Sequence, residues 1–376
     1  METSLQLFDP DGVGVDNGTY FGLPFTPDDA ELVLISAPWD VTVSYGAGTS
    51  YGPDAIIEAS TQLDFYDPLS PDAWRRGIAT ADVDYTLQEE SQRLRADAVK
   101  VIRHLEQGGS PTDESIERKV RRVNEGCAAM NANIYGQACR WLGMGKIVGL
   151  VGGDHSTPYG LLRALAERHD RFGILHIDAH RDLREAYEGF EFSHASIMYN
   201  VLRDIPQAAK IVQAAVRDYS RGELELATAS DRVESFEDLA LAAAEFRGET
   251  WDEQCRKVVE TLPEEVYVSF DIDGLSFENC PRTGTPVSGG LSFNKAMWLV
   301  DAVVRSGRRI IGFDVSCRGA GFDLRVPSTC ANINVIKYKN AWPIRHAGKE
   351  RNKLCGTYPA NSIIHLMKLP CLPASQ

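Results

Sequence analysis

Short apolar segments alternate with longer amphipathic segments along most of the chain. Apolar segments that are bounded by turn-forming or polar residues are typical of buried strands, and they span residues 31–40, 76–84, 146–154, 172–180, 209–218, 265–273 and 308–316. Between them, apolar positions at helical spacing predict helices at 88–107, 117–142, 157–169, 193–203, 249–261 and 293–306. Apolar strands that alternate with helices predict an α/β fold, in which helices cover both faces of a parallel sheet.

The domain organisation follows from length and pattern. A chain of 376 residues has room for one large domain or two medium ones. We find no internal repeat, no low-complexity tract and no clear domain boundary. We therefore expect an N-terminal arm over residues 1–30 and one α/β domain over residues 31–315.

Composition excludes several classes of function. The net charge of −14 disfavours binding to nucleic acid or to an anionic membrane, and it suits a cationic substrate or metal ions. No apolar run is long enough for a membrane span, and the acidic N-terminus resembles neither a secretory signal nor a transit peptide. The eight cysteines include no CxxC pair, so we expect reduced thiols in a cytoplasmic protein.

Three groups of polar residues follow predicted strands, where an open α/β sheet binds its ligands. The first is Gly152-Gly153-Asp154-His155-Ser156, whose glycines allow a tight turn that leaves His155 at a strand end. Taken alone, this signal is weak, because most histidines in such a position are capping or core residues.

The second group is Asp178-Ala179-His180-Arg181-Asp182. If the strand continues through it, Asp178, His180 and Asp182 point to one side, because strand side chains alternate. We expect His176, one step deeper, to be a buried residue behind this group. The alternative is a solvated exit from the strand in which Asp182 caps a helix.

The third group is Asp271-Ile272-Asp273. The spacing predicts that both carboxylates face one side while Ile272 packs into the apolar layer. Two adjacent acids at the end of an apolar strand repel each other unless a cation lies between them. The alternative is an ordinary polar loop.

The candidate ligands in these groups are four carboxylates, Asp178, Asp182, Asp271 and Asp273, and two imidazoles, His155 and His180. This set suits two divalent ions that share a water molecule, a common hydrolytic arrangement. Oxygen-rich ligation favours Mn-like ions, and imidazole also admits Ni, Co, Fe or Zn. Because no cysteine is among the candidates, a structural zinc site is disfavoured.

GGDHS, DAHRD and SFDID, followed by TGTPVSGGLS at 283–292, resemble the motifs of the ureohydrolase family, which includes arginase and agmatinase. The resemblance implies a three-layer α/β/α sandwich around a parallel eight-stranded sheet, assembled as a trimer or hexamer. It also implies two metal ions per chain, Mn or Ni. One ion is held by His155, Asp178, Asp182 and Asp271, and the other by Asp178, His180, Asp271 and Asp273, so that Asp178 and Asp271 bridge.

Residues 188–196 resemble the family segment that carries a mobile active-site histidine, here His194. The sequence SHASIMYN, rather than the agmatinase-like Ser-His-Gly-Thr, looks closer to the nickel-dependent guanidine hydrolases, and the N-terminal arm fits that branch too. The alternative is that His194 is only a helix N-terminal residue beside a capping Ser193.

The implied reaction is hydrolysis of a guanidino C–N bond with release of urea. Asp182 orients the attacking water, and His194 passes a proton to the leaving nitrogen. The substrate is a small guanidino cation or related compound, namely guanidine, agmatine or a guanidino acid. Loops at Arg184–Glu191 and Arg217–Glu223 set its length.

The pattern departs from the family near the end of the chain. Cys317 stands where the family has a glutamate that binds the guanidinium, and a thiol cannot pair with a guanidinium as a carboxylate does. Residues 316–376 carry nine Lys and Arg but two Asp and Glu, a net of +7. One hypothesis is a frame shift after about Ser316, which resequencing the gene tests; the alternative is a diverged basic tail.

Two other interpretations compete with the lead one. A catalytically impaired, metal-binding homologue that acts as a subunit or scaffold fits Cys317 and the tail. A mononuclear zinc deacetylase of related fold is disfavoured, because the ligands of the second ion are all present.

Overall fold

The computed structural model of the chain describes residues 8–66, 72–281 and 283–316. Cys317 and the basic tail therefore lie outside the described residues. The chain divides into the units Met1–Pro343 and Ile344–Gln376, and every described residue belongs to the first.

Eight parallel strands form a single sheet. They are β1 (Leu32–Ala37), β2 (Ile78–Thr80), β3 (Ile147–Gly152), β4 (Phe172–Ile177), β5 (Ala208–Ala214), β6 (Val233–Phe236), β7 (Glu265–Asp271) and β8 (Arg309–Ser316). Their order across the sheet is β2-β1-β3-β8-β7-β4-β5-β6. Because all pairs are parallel, the carboxyl ends of all strands lie at one edge, where the polar groups were expected.

Helices cover both faces of the sheet. In chain order they are α1 (Gly52–Ser60), α2 (Tyr85–Glu106), α3 (Glu114–Gly143), α4 (Tyr159–Ala166), α5 (Ile197–Asp204), α6 (Arg221–Ala229), α7 (Asp238–Phe246), α8 (Trp251–Glu260) and α9 (Phe293–Arg305). None of these described helices has both the length and the apolar character needed to cross a membrane.

Two apolar cores form because strand side chains alternate. On β1, Leu32 and Leu34 pack into the core with α1, α7, α8 and α9. Val33 and Ile35 pack into the opposite core with α2 to α6. This arrangement confirms the predicted three-layer α/β/α sandwich with a parallel eight-stranded sheet.

Four elements of the structure were not predicted from the sequence pattern. Strand β6 is short, lies at the sheet edge and buries only Val233 fully, so it carries no apolar run. Helices α1, α6 and α7 are also short, and α7 buries only Leu241. Helix α1, in contrast, buries Ala55, Ile56 and Ile57, so its apolar side was present in the sequence.

The predicted N-terminal arm contributes to the core. Tyr20 and Phe21 are buried, and the backbone N–H of Phe21 donates to Ser60 Oγ at 2.7 Å. The Tyr20 hydroxyl lies 2.8 Å from Ser36 Oγ on β1. Part of residues 1–30 therefore packs against the sheet.

Candidate active site

The predicted ligands lie at the carboxyl ends of β3, β4 and β7. His155 follows β3, Asp178 follows β4 directly, and Asp271 is the last residue of β7. These strands are close in the sheet, because only β8 separates β3 from β7. Segments far apart in sequence therefore meet at one point.

Two glycines allow the close approach of these loops. A Cβ on Gly153 would lie 1.8 Å from the carbonyl oxygen of Trp39, and a Cβ on Gly274 would lie 2.7 Å from the backbone nitrogen of Asp178. Neither contact is possible for a larger residue. The turns that carry His155 and Asp273 can therefore pack directly on neighbouring backbone.

His155 is the centre of the first cluster. Its Nδ1 atom lies 2.9 Å from Asp178 Oδ2 and 3.0 Å from Asp182 Oδ2. Asp271 Oδ2 is 3.6 Å from the same nitrogen. These four side chains are buried and include every ligand expected for the first ion.

His180 forms the second cluster at the solvent side of the first. Its Nδ1 atom lies 3.2 Å from Asp273 Oδ2 and 3.4 Å from Asp178 Oδ1. Asp178 thus contacts both clusters, one through each carboxylate oxygen, as expected of a bridging ligand.

Asp182 is positioned by a loop rather than by the predicted continuation of strand β4. Strand β4 ends at Ile177, so Asp178, His180 and Asp182 are not alternate residues of one strand. Instead Asp182 has a left-handed φ of 53°, and its carbonyl accepts hydrogen bonds from the backbone of Met198 and Tyr199 at the start of α5. The loop conformation, not strand alternation, brings its carboxylate to His155.

Asp271 and Asp273 are held by backbone hydrogen bonds. Strand β7 ends at Asp271, and a 3-10 turn follows at Ile272–Gly274. Asp271 Oδ1 accepts from the N–H of Asp273 at 2.9 Å, and Asp273 Oδ1 accepts from the N–H of Ala179 at 3.0 Å. Ile272 is buried in the apolar core, as the spacing predicts.

His176 is completely buried behind the first cluster. Its Nε2 atom lies 2.8 Å from Asp178 Oδ2. By distance alone, potential ligand atoms of His155, His176, Asp178 and Asp182 all lie within 4.8 Å of one another. Geometry therefore admits His176 as a ligand, which the motifs did not suggest.

Burial and neighbouring charges set the protonation of this cluster. Burial alone lowers the pKa of His155, but hydrogen bonds with Asp178 and Asp182 outweigh it and raise that pKa well above its usual range. Burial raises the pKa of Asp178, but the surrounding histidines outweigh it and hold that pKa well below its usual range. Burial, aided by the charge of Asp178, raises the pKa of Asp182 to about 6.

The donor set fits divalent cations. Asp178, Asp182, Asp271 and Asp273 are each at most 4% exposed, and carboxylates buried this close together need compensating positive charge. Carboxylate oxygens with imidazole nitrogens suit Mn-like and related divalent ions. The chemistry of these buried groups therefore fits the metal site that the motifs imply.

A cavity of about 480 Å³ opens next to the second cluster. Its wall includes Tyr45, His180, Asp182, Tyr187, His194 and Tyr219. Ser193 accepts a hydrogen bond from the N–H of Ala195, so the capping role considered for Ser193 exists, but His194 also lines the cavity. Burial and nearby cationic groups lower the pKa of His194 to about 3, which leaves a neutral imidazole at the wall.

Several cavity residues were not singled out by sequence reasoning. Tyr45 lies at the mouth and is 82% exposed. Thr285 donates a hydrogen bond to Asp273 Oδ2 at 3.2 Å. Thr285 falls within the TGTPVSGGLS motif, which offered a signal, whereas nothing local marked Tyr45. The loops predicted at Arg184–Glu191 and Arg217–Glu223 do contribute Tyr187 and Tyr219 to the cavity.

Comparisons with known proteins indicate the family. Residues 30–329 match the model of the arginase family. The chain is 30% identical over 302 residues to an N(1)-aminopropylagmatine ureohydrolase of Thermus thermophilus, with 78% of this chain and 85% of that protein covered. It is 25% identical over 293 residues to an agmatinase of Bacillus anthracis, with 77% and 83% covered.

Solved structures share the fold. Proclavaminate amidino hydrolase from Streptomyces clavuligerus superposes with a TM-score of 0.65 at 22% identity, covering 88% of this chain and all of the other. Agmatine ureohydrolase of Thermoplasma volcanium superposes with a TM-score of 0.63 at 19% identity, covering 91% and 97%.

The chain therefore belongs to the arginase family. The prediction of a hydrolase that acts on guanidino C–N bonds is confirmed by this membership. The family is one of binuclear metal enzymes, and the buried histidine and aspartate clusters are compatible with that chemistry.

Proposed function

We propose that this protein releases urea from a small cationic guanidino substrate with two divalent metal ions, Mn or Ni, in each chain. The observation that carries the proposal is the convergence of a buried and a partly buried cluster of histidine and aspartate side chains beside one cavity. The first ion is assigned to His155, Asp178, Asp182 and Asp271, and the second to Asp178, His180, Asp271 and Asp273. Bound ions of this kind would lower the pKa of a bound water molecule to about 7, which provides a nucleophile at neutral pH.

Two side chains at the cavity have separate roles in the reaction. Asp182 accepts a hydrogen bond from the attacking water and orients it toward the guanidino carbon. His194 accepts a proton that the attacking water releases and passes it to the leaving nitrogen. Because the lowered pKa of His194 keeps its ring neutral, it does not repel an incoming cation.

The cavity favours an elongated substrate over guanidine itself. A volume of about 480 Å³ lies within the range of pockets that enclose whole organic ligands. Tyr187 and Tyr219 line it, and faces of tyrosine rings attract cations. Asp218 lies on the same wall, is exposed, and forms no salt bridge with any residue that the structure describes. We propose that it binds a second cationic group, as in agmatine.

The substrate proposal predicts a selective effect of Asp218→Asn. Loss of one charged contact should raise KM for agmatine about tenfold, while KM for guanidine changes less than twofold, since guanidine does not reach Asp218. Urea-release kinetics on both compounds measure this, with exposed Asp231→Asn as the matched control. Equal effects on both substrates would contradict the assignment, and turnover of guanidine alone would favour the guanidine hydrolase branch.

The main experiment is urea release from guanidine, agmatine, arginine and 4-guanidinobutyrate after separate loading with Mn²⁺ and Ni²⁺. We expect turnover of at least one substrate and two metal ions per chain. Asp178→Asn should abolish both, whereas Asp170→Asn, at an exposed position, should change neither. Two bound metals without urea release would instead support the catalytically impaired homologue.

Assembly and location are part of the proposal. We propose a homo-oligomer, trimer or hexamer, in the cytoplasm, without nucleic-acid or membrane partners. The acidic net charge of −14 supports the last point. Light scattering coupled to gel filtration measures the assembly.

A further inference from the structure

A row of polar side chains crosses the sheet just below the metal site. Asp314 on β8, Ser269 on β7, His176 on β4, Gln213 on β5 and Ser235 on β6 are successive partners in the strand register. All except Ser235 are completely buried. Buried polar groups are costly unless they are hydrogen-bonded, so the bonding along this row is informative.

Arg181 determines the orientation of the Gln213 amide. Nη1 of Arg181 lies 3.1 Å from Gln213 Oε1, and the Arg181 carbonyl lies 2.8 Å from Gln213 Nε2. A guanidinium can only donate, and a carbonyl can only accept. The oxygen and nitrogen of this amide therefore cannot be exchanged.

The amide orientation determines the tautomer of His176. Gln213 Nε2 lies 3.1 Å from His176 Nδ1, and because an amide nitrogen only donates, Nδ1 must accept. The ring proton is then on Nε2, which lies 2.8 Å from Asp178 Oδ2 and donates to it. A protonated Nε2 has no lone pair for a metal ion.

His155 meets the opposite arrangement. Its Nε2 atom lies 2.8 Å from Ser269 Oγ. Because the Ser269 hydroxyl donates its proton to the Asp314 carboxylate, its oxygen accepts the ring N–H of His155. Its Nδ1 atom faces Asp178 and Asp182. With Nε2 protonated, Nδ1 is the nitrogen that would give up its proton and coordinate a metal ion at the carboxylates.

We propose that this polar row assigns different roles to two histidines that distance alone does not separate. His155 is a metal ligand through Nδ1. His176 is not a ligand but a positioning residue, and its Nε2–H holds one oxygen of the bridging carboxylate Asp178. Partners of this kind behind metal ligands typically affect metal affinity 10–100-fold. The inference rests on the proposed metal site.

Neutron diffraction from deuterated, metal-free crystals tests the tautomer directly. We expect a deuteron on Nε2 of His176 and none on its Nδ1. A deuteron on Nδ1 would overturn the proposal. This result is independent of whether the protein binds metal, so it separates failure of the polar row from failure of the proposed metal site.

Two substitutions of His176 distinguish a hydrogen-bond donor to Asp178 from a metal ligand. Glutamine can donate from a position close to that of Nε2, whereas glutamate cannot donate but is itself a good metal ligand. We expect His176→Gln to keep the Kd for Mn²⁺ within about threefold and His176→Glu to raise it 10–100-fold. The Kd is measured by electron paramagnetic resonance of free Mn²⁺, and the thermal midpoint of the metal-free protein monitors the fold. The reverse order, or equal effects of both variants, would overturn the proposal.

Discussion

Burial sets the protonation of individual side chains around the cavity, and Glu188 shows the effect outside the metal site. This residue follows Tyr187 in the loop that leads to His194, and it has a left-handed φ of 57°. Burial, together with the charge of Glu106, raises its pKa from 4.5 to about 7. The folded protein therefore binds more protons at Glu188 than the unfolded chain between these two values.

This shift predicts a pH-dependent gain in stability for Glu188→Gln. Because the folded-state pKa is raised, the contribution of Glu188 is favourable at low pH and is lost as pH rises through about 7. We expect the variant to raise the thermal midpoint by about 2–4 °C at pH 8 and to differ little from wild type at pH 5. Differential scanning calorimetry measures both, with exposed Glu191→Gln as control. A shift that is the same at both pH values would exclude this explanation.

Hydrogen bonds to backbone carbonyls hold the loops at the strand ends together. Arg217, which follows β5, donates to the carbonyl oxygens of Asp273 at 2.6 Å and Leu275 at 3.2 Å. It also reaches the carbonyls of Val287 and Ser288, each at 3.1 Å. One side chain thus joins the turn that carries Asp273 to the glycine-rich segment that carries Thr285.

Removal of this guanidinium should loosen both segments together. We expect Arg217→Met to lower the free energy of unfolding by about 2–4 kcal/mol and to weaken Mn²⁺ binding, since Asp273 loses its support. Urea denaturation and Mn²⁺ titration measure the two effects. Arg221→Met, whose side chain is 91% exposed, is the matched control. Lower stability with unchanged Mn²⁺ affinity would show that Arg217 does not position Asp273.

The net charge of the whole protein changes the rate at which it encounters a charged substrate. The net charge of −14 attracts cations from a distance. Dissolved salt screens this attraction, because the Debye length is only roughly 10 Å at 0.1 M ionic strength. This attraction is independent of any single contact in the cavity. It should therefore depend on the net charge of the substrate rather than on its shape.

The salt dependence of kcat/KM tests this long-range attraction. For each compound that the protein hydrolyses, we expect kcat/KM to fall as ionic strength rises, most for doubly charged agmatine and least for net-neutral 4-guanidinobutyrate. Stopped-flow or coupled urea assays between 10 and 500 mM salt provide the comparison. The same decrease for charged and neutral substrates would show that salt acts on the protein rather than on steering.

The sequence alone determined the fold class and the identity of the candidate ligands. Apolar segments of β1, β3, β4, β5, β7 and β8 were recognisable because a buried parallel strand must be apolar on both faces. His155, Asp178, His180 and Asp273 were recognisable because they lie in short motifs, GGDHS, DAHRD and SFDID, that resemble those of the ureohydrolase family. Both signals come from residues that are close together in the chain, so they can be recognised in a single sequence.

Only the tertiary structure decided how these residues meet. The left-handed loop that brings Asp182 to His155, the edge strand β6, and Tyr45 at the cavity mouth depend on contacts between distant segments. The tautomer of His176 depends on Gln213 and Arg181, which are adjacent to it only through strand register. No periodicity encodes such contacts, because they arise from packing across the sheet rather than from the order of neighbouring residues.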